Sequence, residues 1–305
     1  MGETGERRNR PPVHLTHSRI IPYIGELIPA FWQASLFTEF VWYSEVSNDE
    51  TYNSRRLFMV DVSGRWALVT GGTRGIGRLV SLFLAERGCN IIVQSRKKEH
   101  ADKVKKEIED LGVKCIPVEA ELSDLAAVEA MLKEIDFLGV RVDIVMNNAG
   151  MQIAYRTDYL KTPADDYTTS FLINTTAPMM ICYHFVPKMI ENGFGRIVNT
   201  TSGIALEPEQ AGYSASKAAL NKVTIDLGSK LQGSDVLINL ADPGWCRTDL
   251  GGPNAPNAPE SSIPGVVVGA FVDDGKSGRI FGAGLFYDMS LESAVAAAEK
   301  MNSPY

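Results

Sequence analysis

At 305 residues, 45% apolar and 22% charged, the chain has the composition of a soluble globular protein. Its length permits one large α/β domain or two smaller ones. The net charge of −7 argues against nucleic acid or an anionic membrane as the main partner and fits a cytoplasmic enzyme.

Residues 1–62 differ in character from the rest of the chain. A polar, Arg-rich start, Gly5 to Arg10, leads through Pro11-Pro12 into a segment dense in Phe, Trp, Tyr and Ile. Ala30 to Tyr43 reads as a helix with Phe31, Leu36, Phe40 and Trp42 on a broad apolar surface. The run Leu27 to Thr38 is too short, and too interrupted by Pro29 and Gln33, to span a bilayer, and no secretory signal is evident. Residues 1–62 are therefore expected to form an N-terminal arm that buries its aromatic face on the main body or on another subunit.

From Val62 the pattern becomes regular. Trp66 to Thr70 is a short apolar strand that runs into a glycine-rich turn and a helix carrying Ile76, Leu79, Val80, Phe83 and Leu84 on one face, stopped by Gly88. A strand at Asn90 to Ser95, a charged helix from Lys97 to Leu111 and a strand at Lys114 to Glu119 come next. After them stand a helix at Asp124 to Phe137, a strand at Asp143 to Met146, a long helical region from Asp165 to Glu191, and a strand at Arg196 to Thr200. The helix begun by Tyr213 and the strand Val236 to Leu240 complete the alternation, and the Asn/Pro-rich run Gly251 to Pro264 reads as a loop. Strand–helix alternation predicts an α/β fold, a Rossmann-type doubly wound parallel sheet in a single domain spanning 63–305.

Cys89, Cys115, Cys182 and Cys246 lie far apart, and Cys89 and Cys115 fall at or in candidate buried strands. His14, His17, His100 and His184 lack ligand spacing, apart from a weak pairing of His14 with His17 in the polar tail. Neither a disulfide framework nor a structural metal is expected.

The stretch Thr70-Gly-Gly-Thr-Arg-Gly-Ile-Gly77 sits between the first strand and the first helix. Glycines there let the backbone approach a pyrophosphate closely, at a helix N-terminus that favours its charge. Gly71, Thr73, Arg74, Gly75, Ile76 and Gly77 are the resulting dinucleotide-binding candidates. An acidic residue at the end of the second strand would select NAD; this chain has Ser95-Arg96-Lys97-Lys98 instead. Arg96 and Arg74 together suit a 2′-phosphate, so NADP(H) is favoured, with NAD(H) still open. Asn147-Asn148-Ala149-Gly150 closes the fourth strand and would line the same cleft.

Tyr213 and Lys217 lie one helical turn apart. Ser202 comes just after the strand ending at Thr200, at the sheet edge where such folds bind ligands. Asn174 interrupts the long helical region with a side chain that competes for backbone hydrogen bonds. A phenol is too weak an acid to shuttle protons near neutrality. An ammonium about 4 Å away at an effective dielectric of ~20 contributes roughly 4 kcal/mol and would lower the phenol, with desolvation opposing part of the gain.

On Thr70-Gly-x3-Gly-x-Gly77, Asn147-Asn-Ala-Gly150, Asn174, Ser202, Tyr213-x3-Lys217 and Pro243-Gly-Trp-Cys-Arg-Thr248, the chain resembles the short-chain dehydrogenases/reductases from Gly64 to the C-terminus. The resemblance implies NAD(P)(H) as cofactor and hydride transfer between a ketone and a secondary alcohol. It implies Tyr213 as proton donor, Ser202 as the group that orients the carbonyl oxygen, and Lys217 as the group that lowers the phenol and holds the nicotinamide ribose. Asn174 would anchor a water that links Lys217 to solvent. Pro243, Gly244 and Thr248 would contact the nicotinamide end, while Glu121 and Leu122 would border the adenine. Glu121 stands where the family usually has Asp, and the interval from Ser202 to Tyr213 is shorter than usual. The family also implies a homodimer or homotetramer, with the arm as a candidate interface.

Met151, Ile153, Tyr155, Tyr159, Ile204, Leu206 and Trp245 border the expected substrate site, and Met151, Ile204, Leu206 and Trp245 are the foremost substrate candidates. Their apolar character suits a bulky ketone or alcohol. The extension before the first strand is similar to the architecture of bacterial 20β-hydroxysteroid dehydrogenases and makes a steroid the sharpest substrate expectation. A general carbonyl or 3-oxoacyl thioester reductase is the enzymatic alternative. A non-catalytic dinucleotide-sensing protein is the alternative from another class.

Overall fold

The computed structural model describes residues 59–305. The expected arm lies outside them, except for Met59 to Val62 at its end. The described residues form one compact unit, and its apolar packing already includes the buried Val60 and Val62.

The strands are β1 (Trp66–Thr70), β2 (Asn90–Ser95), β3 (Cys115–Glu119), β4 (Val142–Asn147), β5 (Gly195–Thr200), β6 (Val236–Asp242) and β7 (Ile280–Gly282). Among the described residues they form one parallel sheet in the order β3-β2-β1-β4-β5-β6-β7. Order reverses between β1 and β4, so the crevice beyond their carboxyl ends lies where open α/β sheets take ligands. The first six strands match the sequence expectation within two residues. β7 is absent from that expectation, because three residues at a sheet edge carry no readable pattern.

The helices are α1 (Gly75–Ala85), α2 (Asp102–Glu109), α3 (Leu125–Phe137), α4 (Ala164–Phe171), α5 (Ala177–Glu191), α6 (Ala211–Ser229), α7 (Ile263–Val267) and α8 (Leu291–Lys300). Side chains alternate across each strand, and both faces are buried. Ala67, Val69, Ile91 and Val93 join Val80, Leu84, Val104, Ile108, Val266 and Val295 in one core. Leu68, Ile92, Ile197 and Ile238 join Val128, Ile135, Ile181, Phe185 and Leu220 in the other. β4 departs from alternation at Asp143, where the register with β1 slips by one residue. This is a β-bulge; the Asp143 carboxylate fills it by accepting from Trp66 N at 3.3 Å and pairing with Arg65 and Arg141.

The charged segment from Lys97 begins as a 3₁₀ turn, Lys98–Ala101, before α2. The long helical region is continuous but changes pitch: Leu172–Thr176, between α4 and α5, is a π turn. The expected loop from Gly251 to Pro264 is shorter than the sequence suggests, since a helical turn at Glu260–Ser262 leads into α7.

Arg196 is the second residue of β5, the strand that ends at the candidate site, and it is fully buried. Its guanidinium donates to the carbonyls of Val272, Gly195 and Asp235 and pairs with Asp273 at 2.7 Å. It thereby staples β5 to the chain on either side of β6. Arg196→Met removes the donors and leaves buried carbonyls unpaired. A loss of about 3 kcal/mol is expected in urea unfolding; an unchanged midpoint would show that these bonds do not hold the strand.

Candidate active site

The glycine loop is shaped by what surrounds it. Gly71 has φ +61°, and an added Cβ would stand 3.1 Å from Ala149 Cα. A Cβ on Gly77 would stand 2.2 Å from Gly71 O and 2.5 Å from Asn148 Nδ2, which no side chain allows. Gln94, buried in β2, fixes the loop further: its Oε1 accepts from Gly71 N at 2.9 Å and its Nε2 donates to Ala120 O at 2.8 Å. The Asn147–Gly150 turn closes on the same loop, with Ala149 N donating to Thr70 Oγ1 at 3.0 Å and Asn148 Nδ2 to Thr70 O at 3.2 Å.

α1 starts at Gly75 with no side-chain cap and no acid in its first turn, whereas Asp124 caps α3 and Ser290 caps α8. Thr73, Arg74 and Ile76 line this start, and free amide groups there suit a phosphate. A backbone that only glycine permits and an uncapped helix start both fit a dinucleotide pyrophosphate.

At the end of β2, the Ser95 hydroxyl donates to Lys97 O at 2.6 Å. Arg96 beyond it is exposed. Arg74 donates instead to Asp249 at 2.8 Å, across to the loop after β6, and both partners are exposed. Past β3, Glu121 accepts from Ser123, and Leu122 buries its side chain against α3. Thr248 packs beside Gly75, its Cγ2 3.5 Å from the point where a Cβ would stand, and Gly251 N donates to its hydroxyl. Pro243 and Gly244 turn the chain out of β6, with Gly244 at φ +70°.

At the catalytic end, Tyr213, Lys217 and Asn174 are buried and Ser202 is half-buried. Asn174 sits on the π turn, and such turns recur at functional sites because they re-aim one side chain. Its Oδ1 accepts from Met151 N and its Nδ2 donates to Met151 O, both at 2.9 Å, and to Ser216 Oγ at 3.0 Å. Lys217 Nζ donates to Thr200 O at 2.8 Å and lies 5.9 Å from the centre of the Tyr213 ring. Lys217 Nζ and Asn174 Oδ1 converge on Gly150, at 3.4 and 3.5 Å from where its Cβ would be. Ser202 lies near enough to the Tyr213 phenol to favour its ionised form, and its hydroxyl accepts from Ile204 N at 3.2 Å.

The electrostatics correct one expectation. The spacing in sequence suggests that Lys217 pulls the phenol down. Burial instead pushes Tyr213 up; Ser202 opposes this and the Asp242 charge adds to it. Lys217 is itself pushed down to about 8 by burial, against the pull of Asp242. Desolvation wins because both groups leave water together, and the ammonium is satisfied by a backbone carbonyl rather than by the phenol.

Asp242, Thr200, Gln94 and Ser216 contact the loops and side chains of this site and were missed by sequence reasoning. Gln94 had a visible signal, a polar residue inside an apolar strand. Asp242 had none until the register of β5 against β6 was known.

Among substrate candidates, Met151 and Ile204 are half-buried beside this site. Ile153, also expected there, is buried, and Gln210 Nε2 donates to its carbonyl. Trp245 is half exposed and donates through Nε1 to Gly251 O at 2.7 Å. Leu206 is 99% exposed, so it forms no wall of a closed pocket. It has φ +60°, a strained conformation for leucine, on the shortened loop that runs through the turn Pro208–Gln210 directly into α6.

A sequence model described as short chain dehydrogenase matches residues 65–258. The chain is 34% identical over 194 residues to a 3-oxoacyl-[acyl-carrier-protein] reductase of Aquifex aeolicus, covering 63% of this chain and 77% of that protein. It is 30% identical over 202 residues to an NADPH-dependent aldehyde reductase-like chloroplastic protein of Arabidopsis thaliana, covering 62% and 75%. A solved metagenomic short-chain oxidoreductase in complex with NADP superposes with a TM-score of 0.59 at 28% identity, covering 66% and 88%. The glycine loop, the buried Tyr213–Lys217 pair and these matches agree: the chain belongs to the short-chain dehydrogenase family.

Proposed function

We propose that the protein is an NAD(P)(H)-dependent oxidoreductase that reduces a ketone on an apolar body, with NADPH as the preferred hydride donor. The observation that carries this reading is the buried Tyr213 phenol, with Ser202 near it and the Lys217 ammonium 5.9 Å from its ring centre, raised above its ordinary range by burial. A phenol so placed stays protonated at neutral pH and serves as the acid for a carbonyl oxygen. Ser202 donates a second hydrogen bond to that oxygen and fixes the face it presents. Lys217, anchored on Thr200 O, would offer its remaining N–H groups to the ribose hydroxyls of the cofactor. Asn174 holds the chain at Met151, which borders the substrate. A nicotinamide cofactor held on the glycine loop would supply the hydride, and Tyr213 the proton, for reduction of the ketone to a secondary alcohol.

The choice of NADPH rests on Arg96, exposed just beyond the end of β2 where an acidic residue would select NAD. The names of the Arabidopsis relative and of the NADP-bound solved structure support it.

A second reading, a 3-oxoacyl thioester reductase, is favoured by the names of relatives such as the Aquifex enzyme. The rim argues for a free ketone instead of one carried on an acidic protein. Arg156 is committed to Asp166 at 2.7 and 2.9 Å, and Arg247 to the carbonyls of Ala255 and Pro256. Glu207 and Glu209 stand on the loop beside Arg156, whose backbone N–H donates to Glu209 O. The steroid reading rests on the apolar lining at Met151, Ile204 and Trp245 and on the N-terminal arm. A cytoplasmic homo-oligomer is part of the same proposal; among the described residues, no helix is long and apolar enough to cross a membrane.

Steady-state assays should compare small ketones, an acetoacetyl thioester and steroid ketones with NADPH and NADH. Tyr213→Phe is expected to lower kcat at least ~100-fold with cofactor binding retained; near-full turnover would remove Tyr213 from the chemistry. Arg96→Ala is expected to weaken NADPH binding, read by nucleotide fluorescence, more than NADH binding. Equal losses would contradict the assignment of the 2′-phosphate.

A further inference from the structure

The sequence pairs Arg74 with Arg96 at a 2′-phosphate, but the structure gives the two arginines different surroundings. Arg96 stands exposed beyond the end of β2. Arg74 is already engaged: its Nη1 donates to Asp249 Oδ2 at 2.8 Å, across to the loop after β6.

Asp249 is held where it is by its neighbours. Trp245 Nε1 donates to Gly251 O at 2.7 Å, Gly251 N donates to Thr248 Oγ1 at 3.1 Å, and Gly252 N donates to Thr248 O at 2.8 Å. These bonds close a tight turn with Asp249 inside it. Thr248 seats the turn on the glycine loop, its Cγ2 3.5 Å from the point where a Cβ on Gly75 would stand. None of these contacts uses the Asp249 carboxylate, so they keep it beside the start of α1 whether or not Arg74 is bound to it.

A guanidinium fork suits a carboxylate and a phosphate alike. Two anions that share one guanidinium repel each other, so a 2′-phosphate gains from Arg74 only what Asp249 gives up. NADH carries no such phosphate and leaves the pair as it stands. The difference between the two affinities is what sets cofactor choice.

We propose that Asp249 is a positioning residue for cofactor selection: it draws Arg74 away from the 2′-phosphate and lowers the preference for NADPH that Arg96 establishes. The proposal rests on the reading of the glycine loop as a site for NADP(H) and NAD(H), and is independent of the ketone. Its effect is small, because the two side chains are 67% and 73% exposed and ion pairs of that kind are weak.

The test is calorimetric binding to the full chain, with no turnover involved. The ligands are NADPH and NADH, and also 2′,5′-ADP and 5′-AMP, which differ by the 2′-phosphate alone. Asp249→Asn is expected to tighten NADPH and 2′,5′-ADP about threefold and to leave NADH and 5′-AMP unchanged. Asp249→Glu, which keeps the charge, is expected to bind all four as wild type does. In an Arg74→Met background the same Asp249→Asn change is expected to have no effect, because the carboxylate acts through the guanidinium. Unchanged or weakened NADPH binding in Asp249→Asn overturns the proposal. Equal gains for NADH, or a gain that survives in the Arg74→Met background, overturn it as well. Equal affinity of wild type for NADPH and NADH would defeat the NADPH preference proposed above, while the change on Asp249→Asn would still decide the role of Asp249.

Discussion

A lysine ammonium taken out of water is the constraint around which this site is organised. Lys217 is only 3% exposed, and burial lowers it from 10.5 to about 8. That shift corresponds to roughly 3 kcal/mol of lost preference for the charged form. A group held at such a cost must have its donors met. Thr200 O meets one at 2.8 Å, which requires β5 to end beside α6. The parallel sheet delivers that: β5 is fixed between β4 and β6 along its length and anchored at its start by Arg196. Lys217 is thus coupled to the fold as a whole as well as to its neighbour Tyr213.

The same edge of the sheet explains why so many glycines and amides gather here. Parallel strands all end on one side, so their loops crowd together there. Gly71, Gly77 and Gly203 are points where a Cβ would collide with a neighbouring backbone or carboxylate. Asn147 bridges strands at the same level, donating to Asn199 Oδ1 at 2.8 Å, while Asn199 donates on to Thr224. Close approach of backbones is what leaves the uncapped start of α1 open to a phosphate and places Ser202 over the phenol.

Much of this was legible in the sequence because the relevant signals are local. The apolar strands β1, β2 and β5 read directly as short runs of Val, Ile and Leu, and Tyr213 and Lys217 share a helix face by spacing alone. The missed elements are of two kinds. α8 carries Leu291, Ala294, Val295 and Ala298 at helical spacing behind the cap Ser290, a signal that was present and weakened by its alanines. β7 and the contact of Asp242 with Gly203 depend on which strands lie side by side, which no local pattern records. The effect of Lys217 on Tyr213 was misjudged for a related reason: one-turn spacing gives proximity, while the depth of burial that decides the sign comes from the packing of α6 on the sheet. Leu206 likewise read as pocket lining from its apolar side chain, yet the shortened loop turns it fully outward.

The most direct test is the titration of Lys217 itself, by carbon-13 NMR of protein labelled at the lysine ε-carbon, with Lys217→Arg to assign the signal. Burial of the ammonium predicts an inflection near pH 8, with the charge complete below it and lost above it. An inflection at the ordinary lysine value of about 10.4 would mean that the ammonium is solvated, and would contradict the site as described.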